Sequence, residues 1–146
     1  MLRIQWVLLW GGHSKNKLFR SEGASALFGE YSKRTSRFAE CAIARDAGPD
    51  AAGRVVWICD SRGKTVSSEE LARMMQSLQN GPARELQIVI GGPDGIKSDD
   101  PLRKKAAFVW GFGPMTLPHE LAAAVASEQI YRAFTILAHQ PYHSGH

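Results

Sequence analysis

The sequence predicts an α/β fold, a mainly parallel sheet with helices on both faces, and three observations carry that expectation. Short apolar runs, continuous at residues 55–59 and broken only by Gln87 at 86–90, have the length and composition of buried strands. Longer stretches with apolar residues at helical spacing lie between such runs. Glycine-rich turns follow them at residues 60–64, 91–95 and 111–117. Strands alternating with helices build a mainly parallel sheet, and ligands bind such sheets beyond the carboxyl ends of the strands.

Taken in order, residues 2–10 read as a buried strand followed by Gly11-Gly12. Ser14 is placed to cap a long helix reaching about Phe38, with Leu18, Phe19, Leu27, Phe28 and Tyr31 on its apolar side. Residues 39–44 form a second strand, and residues 46–53, rich in Asp, Ala, Gly and Pro, a loop. After the strand at 55–59, residues 60–64 are expected to turn. Ser67 and Glu70 then make a capping box, hydroxyl and carboxylate each satisfying a free backbone N–H. Leu71, Met74, Met75 and Leu78 give the next helix its core face, and it stops at Gly81. The strand at 86–90 ends in Gly91-Gly92-Pro93-Asp94-Gly95. Asp100-Pro101 starts a short helix, residues 107–110 form a last strand, and Pro118 opens a helix to about Leu137. The chain leaves that helix for its tail at Pro141.

A chain of 146 residues, 44% hydrophobic and 22% charged, is most simply one globular domain over residues 1–146. Its longest apolar run, residues 4–10, is too short to span a bilayer, and no secretory signal pattern opens the sequence, so the cytoplasm is the expected location. Cys41 and Cys59 lie in apolar segments and read as reduced thiols. The net charge of +4 is concentrated between Lys15 and Arg37, where Lys15, Lys17, Arg20, Lys33, Arg34 and Arg37 face only Glu22 and Glu30. A basic stretch of this kind suits RNA, although it is also the composition of an ordinary solvated helix face.

The three glycine-rich loops imply a small-molecule site built largely of backbone. Neither a dinucleotide fingerprint nor a phosphate-binding loop is present, and Pro93 removes an N–H that a phosphate cradle would use. A ligand read through peptide groups and apolar contacts, such as S-adenosylmethionine, fits better. His139, His143 and His146 are irregularly spaced and joined by no carboxylate, so no metal is expected there. Ser61, Ser67 and Ser144 lack the setting of a hydrolytic nucleophile.

Four motifs then occur in one order: Ile90-Gly91-Gly92-Pro93-Asp94-Gly95, Met115-Thr116-Leu117-Pro118-His119, Glu128-Gln129-Ile130-Tyr131-Arg132-Ala133 and Pro141-Tyr142-His143. Together with Asp60-Ser61-Arg62-Gly63-Lys64 and Tyr31-Ser32-Lys33-Arg34, they resemble the RlmH family, the pseudouridine N3-methyltransferases of large-subunit ribosomal RNA in the SPOUT superfamily. The resemblance implies a C-terminal deep trefoil knot, which general rules of chain connection would not suggest. It implies a homodimer with S-adenosylmethionine bound near the subunit interface by Cys59, Gly92, Gly113, Pro114, Met115, Thr116, Leu117 and Pro118. The implied substrate is a pseudouridine of 23S ribosomal RNA within the assembled ribosome. Arg132, Tyr142 and His143 are implied near the target base, His143 or Tyr142 helping to remove a proton and Arg132 steadying negative charge.

Three departures from the family pattern stand out. Ser144-Gly145-His146 follows Pro-Tyr-His in place of Lys or Arg, the segment between Glu40 and Val55 is short, and Trp10-Gly11-Gly12-His13 replaces a Gly-Lys pair. The altered tail keeps open an RNA- or ribosome-binding module of the same fold without catalysis. A flavodoxin-like nucleotide-binding domain would explain the alternating elements but none of the motifs.

Overall fold

A computed structural model describes residues 1–10 and 18–144. Five strands form one sheet: β1 (Arg3–Leu8), β2 (Glu40–Ala44), β3 (Arg54–Lys64), β4 (Glu85–Ile90) and β5 (Ala106–Trp110). Their spatial order is β2-β1-β4-β3-β5, and every pairing is parallel. The helices are α1 (Glu22–Thr35), α2 (Ser68–Asn80), α3 (Pro101–Lys105) and α4 (His119–Leu137), followed by a single 3-10 turn at Pro141–His143. No helix among the described residues is long and apolar enough to cross a membrane.

The helices do not divide evenly between the two faces. Strand side chains alternate, so Ile4, Trp6 and Leu8 of β1 and Leu86, Ile88 and Ile90 of β4 point one way. They pack under Phe28 of α1, Leu71 and Met75 of α2, and Ile130 and Phe134 of α4. On the other face Val7, Val56, Ile58 and Val89 are covered by Ile96, Leu102 and Ala47. All three long helices therefore share one face, and the other carries only the five-residue α3 and loops. Strand order explains this. The β1–α1–β2 and β3–α2–β4 crossovers both step in the same direction across the sheet, so right-handed connections place both helices on one side. The β2–β3 and β4–β5 connections step the opposite way and fall on the opposite face.

Local chemistry sets the helix ends. Ser21, in extended conformation, caps α1 by accepting the Ala24 N–H at 3.1 Å, while its own N–H donates to Oε1 of Glu120 at 2.9 Å. The helix thus begins at Glu22 rather than after Ser14, which lies outside the described residues. Leu18 and Phe19 precede it, and Leu27, expected in the core, is 47% exposed because the buried stripe runs through Ala24, Phe28 and Thr35. The hydroxyl half of the Ser67 capping box is present, its Oγ accepting the Glu70 N–H at 3.1 Å. Asp100 caps α3 by accepting the Leu102 N–H at 2.9 Å, with Pro101 in the first turn. In α4 the fully buried Ala123, Ala126 and Ala133 leave little side chain between it and its neighbours, which permits close packing on α1 and α2.

Residues 60–64, expected as a turn, belong to β3, but pairing is interrupted there. Cys59 and Lys64 both stand opposite Trp110, so the residues between them bulge out of the ladder.

Candidate active site

The bulge, the turn after β4 and the loop after β5 meet at the carboxyl edge of the sheet, where strand order predicts a ligand site. They enclose a cleft of about 690 Å³, within the range of small-molecule sites. Of the expected cofactor residues, Cys59, Gly92, Met115, Thr116, Leu117 and Pro118 line it. Gly113 and Pro114 lie in the same loop but do not line the cleft. Gly113 has φ +113° with open space around it, so it sets the course of the loop rather than making room for a ligand.

Glycine has a specific task at two places. A Cβ on Gly91 would lie 2.8 Å from the Gly95 carbonyl carbon, so only glycine lets the turn fold back on itself. That turn closes with the Gly95 N–H donating to the Gly92 carbonyl at 2.9 Å, with Gly95 at φ +72°. Gly63 and Gly111 likewise approach backbone to backbone, and the Gly111 N–H donates to the Lys64 carbonyl at 3.0 Å.

Asp60 ties the loops together. Its Oδ1 accepts the Arg62 N–H at 2.9 Å, and its Oδ2 lies 2.6 Å from Nη2 of Arg103. Arg103 also donates to the Lys97 carbonyl at 2.8 Å and to that of Ile96. Burial alone would raise the Asp60 pKa, but the Arg62 N–H and the Arg103 and Arg62 guanidiniums hold it at about 2. The acid is therefore an ionised bracket rather than a proton donor. Burial raises the Cys59 thiol well above its ordinary value, so it lines the cleft as a protonated, apolar group. Both cysteines are free.

Trp10, His119 and Phe112 join the site although none was expected to bind the cofactor; His119 ends one of the four motifs and Phe112 lies in the loop after β5. Trp10 packs edge-on against His119, with ring centres 4.7 Å apart, and its indole N–H donates to the Leu18 carbonyl at 2.6 Å. His119 and Phe112 both line the cleft.

Arg132, Tyr142 and His143 come together in a second cluster. Arg132 meets Oε1 of Glu128 through Nε at 2.8 Å and Nη2 at 2.7 Å. Its guanidinium lies 4.8 Å from the Tyr142 ring centre, and its Nη1 is 2.9 Å from Nδ1 of His143. Tyr142 donates to Glu128 over 3.4 Å and packs edge-on against Tyr131, whose ring tilts against Tyr31 at 5.9 Å. Burial and the contact with Tyr31 push the Tyr142 phenol well above its ordinary pKa, so it keeps its proton. Arg34 of α1 lies 5.4 Å from the Tyr31 ring centre, adding a cation beside these aromatic rings. Among the described residues no group of His, Cys, Asp and Glu is arranged to hold a metal; His146 lies outside them.

The two clusters are well separated. Ala122 lines the cleft and Arg132 stands ten residues further along α4, so about 15 Å of helix divides them.

Comparison with known proteins follows the same lines. A family model described as "Predicted SPOUT methyltransferase" matches residues 47–143. The ribosomal RNA large subunit methyltransferase H of Koribacter versatilis is 36% identical over 155 aligned positions, covering 99% of both chains. The protein of that name from Deinococcus radiodurans is 41% identical over 127 positions, 80% of this chain and 86% of its own. That from Ruegeria pomeroyi is 44% identical over 114 positions, 78% of this chain and 70% of its own. A solved structure, a probable methylase family protein from Haemophilus influenzae Rd KW20, superposes with a TM-score of 0.61 over 99% of this chain and 72% of that one. At 14% identity that likeness is one of fold.

Proposed function

The chain belongs to the ribosomal RNA large subunit methyltransferase H family of SPOUT methyltransferases, and on that premise we propose that it methylates N3 of a pseudouridine in 23S ribosomal RNA of the assembled ribosome, using S-adenosylmethionine. One observation carries the reading: a cleft of small-molecule size, built from three glycine-rich loops, holds six of the positions expected to bind the cofactor.

The cleft suits such a donor. Its walls combine backbone at Gly91, Gly92 and Gly95 with the apolar Ile90, Phe112, Leu117 and Ala122. Asp60, the buried charge in its wall, is already neutralised by Arg103, and the other charged groups of the lining, Arg62 and Asp94, are exposed to solvent. The residues present therefore offer peptide groups and apolar contacts rather than a phosphate or metal site. Bound there, S-adenosylmethionine supplies a methyl group on a positively charged sulfur, already activated for attack. What remains for the protein is alignment and removal of the N3 proton. Arg132 offers positive charge to the ring oxygen beside N3 as that proton leaves. Tyr142, holding its own proton, serves as a donor, which assigns proton removal to His143.

A homodimer belongs to this reading. A methyl group cannot cross the roughly 15 Å between the Ala122 end of α4 and Arg132, so a second copy would bring its own Arg132, Tyr142 and His143 over the cleft. Met115, 75% exposed, and Leu121, 41% exposed, offer apolar surface for that contact near the mouth of the cleft. A trefoil knot in the passage from β5 through residues 111–118 into α4, and a cytoplasmic location, complete the proposal.

Titration with S-adenosylhomocysteine should give saturable binding in the calorimeter; no heat at high concentration would remove the methyltransferase reading. Labelled methyl transfer should proceed on ribosomes lacking the modification. Product on naked RNA alone would contradict the assembled-ribosome substrate, and cofactor binding without transfer on either would favour a binding module.

A further inference from the structure

Both ring nitrogens of His143 are engaged, and their partners differ in kind. Nδ1 lies 2.9 Å from Nη1 of Arg132, while Nε2 lies 2.6 Å from Oε1 of Glu69. A guanidinium has only donors and an ionised carboxylate only acceptors. The first contact therefore requires a lone pair on Nδ1, and the second requires a proton on Nε2. One tautomer satisfies both. The hydrogen bond from His143 holds the Glu69 carboxyl below its ordinary pKa, so it remains an acceptor near neutrality. Glu69 stands in the first turn of α2, behind the Ser67 cap, beside Ser68, whose hydroxyl donates to Gln129 of α4 at 2.8 Å.

We propose that Glu69 is a positioning residue that selects Nδ1 of His143 as the acceptor for the N3 proton of the target base. The inference rests on the methyl-transfer reading above and deepens it by naming the accepting atom and the residue that fixes it. Before substrate arrives, the Nδ1 lone pair is occupied by Arg132. A uracil-type ring carries carbonyl oxygens on either side of N3, and such an oxygen, gaining negative charge, is a stronger acceptor for Arg132 than a neutral imidazole nitrogen. Once Arg132 turns to that oxygen, Nδ1 is free to face N3–H.

The step balances. The electron pair of the N3–H bond stays on nitrogen and becomes the bond to the methyl carbon. The carbon–sulfur bond breaks with its pair on sulfur, and the proton passes to Nδ1. The resulting imidazolium donates through Nε2–H to the Glu69 carboxylate, which stabilises it, and later releases its proton to water. Once Arg132 has turned to the base, only Glu69 still holds the proton on Nε2; without it the opposite tautomer, which has no lone pair at Nδ1, becomes populated.

Histidine-labelled protein tests this by nitrogen NMR alongside methylation kinetics on intact ribosomes. Wild-type His143 should show a single tautomer protonated at Nε2. Glu69→Ala should lower kcat at least about tenfold, the worth of one hydrogen bond to a charged group. It should mix the tautomers once Arg132→Ala also removes the donor to Nδ1, whereas Arg132→Ala alone should keep the Nε2-protonated form. KM for ribosomes and affinity for S-adenosylhomocysteine should stay unchanged. Glu69→Gln, whose amide oxygen still accepts from Nε2, should restore the tautomer and part of the rate. Glu70→Ala, which removes the same charge from the same helical turn, should behave as wild type. Full activity in Glu69→Ala, or an Nε2-protonated tautomer that persists when Arg132→Ala and Glu69→Ala are combined, would overturn the proposal while leaving the methyltransferase reading intact. An inactive wild type would overturn both.

Discussion

Asp60 and Arg103 meet at 2.6 Å across the open end of the sheet, joining the bulge of β3 to the segment behind the glycine turn of β4. Both side chains are largely buried, with Asp60 11% and Arg103 20% exposed. Removing one partner would leave the other charge without its counterion. Asp60→Asn should therefore loosen both loops and weaken S-adenosylhomocysteine binding, read by calorimetry. Wild-type affinity in the variant would rule out this bracket.

The same pair sets an acid limit on stability. The folded Asp60 has a pKa of about 2, below its ordinary 3.8, so it binds a proton less readily folded than unfolded. Its contribution, about 2 kcal/mol from that difference, is complete above pH 4 and disappears as pH falls toward 2. Urea unfolding at pH 7 and near pH 2 should show Asp60→Asn costing stability at the first and almost nothing at the second. An equal loss at both would mean that the ion pair is not responsible.

Gly63 and Gly111 make a third prediction. A Cβ on Gly111 would lie 2.6 Å from the Gly63 carbonyl oxygen, and one on Gly63 would lie 2.7 Å from the Gly111 nitrogen. Both obstacles are backbone, so no side chain can swing aside. Gly111→Ala should cost about 1–3 kcal/mol and shift the loop leading to Thr116 and Leu117, lowering cofactor affinity as well. Gly29→Ala, in the exposed middle of α1 with nothing within 4 Å of the added atom, is the contrasting case and should raise stability by about 0.5–1 kcal/mol in thermal unfolding.

What the sequence revealed, and what it hid, follows the range of each interaction. The strands at β3 and β4, the Ser67 and Asp100 caps and the glycine loops after β4 and β5 are local patterns, and the structure contains them, whereas residues 60–64, expected as a turn, extend β3 as a bulge. The start of α1 was obscured because Leu18 and Phe19 continue an apolar rhythm although the chain there is not helical; Ser21 caps instead. The gathering of the long helices on one face could not be read without the strand order, since crossover direction fixes it. Asp60 with Arg103 and Glu69 with His143 are 43 and 74 residues apart, and no spacing rule reaches so far.

Tyr142 keeps its proton because burial and the contact with Tyr31 disfavour the phenolate. Tyr142→Phe should lower kcat about tenfold through loss of one donor to a charged group. The pH dependence of the remaining activity should retain its shape, because no titrating group is lost in the working range. Disappearance of a kinetic pKa between pH 6 and 8 would instead make Tyr142 the base and remove His143 from that role.

The distance between the cleft and Arg132 predicts complementation between subunits. Arg132→Ala removes the positive charge of the second cluster but leaves the cleft whole, whereas Thr116→Trp crowds the cleft and leaves that cluster whole. Each variant alone should be inactive. In a mixed dimer the intact cleft of one subunit lies under the intact Arg132 of the other, so one complete site returns. Random exchange of equal amounts makes about half of the dimers mixed, restoring roughly a quarter of wild-type sites. Leu121→Glu, charging an exposed apolar position near the cleft mouth, should lower both the dimer fraction in sedimentation and the recovered activity. A mixture as inactive as its components would mean that each site is completed within one chain, and that α1 and α4 must rearrange to close the gap.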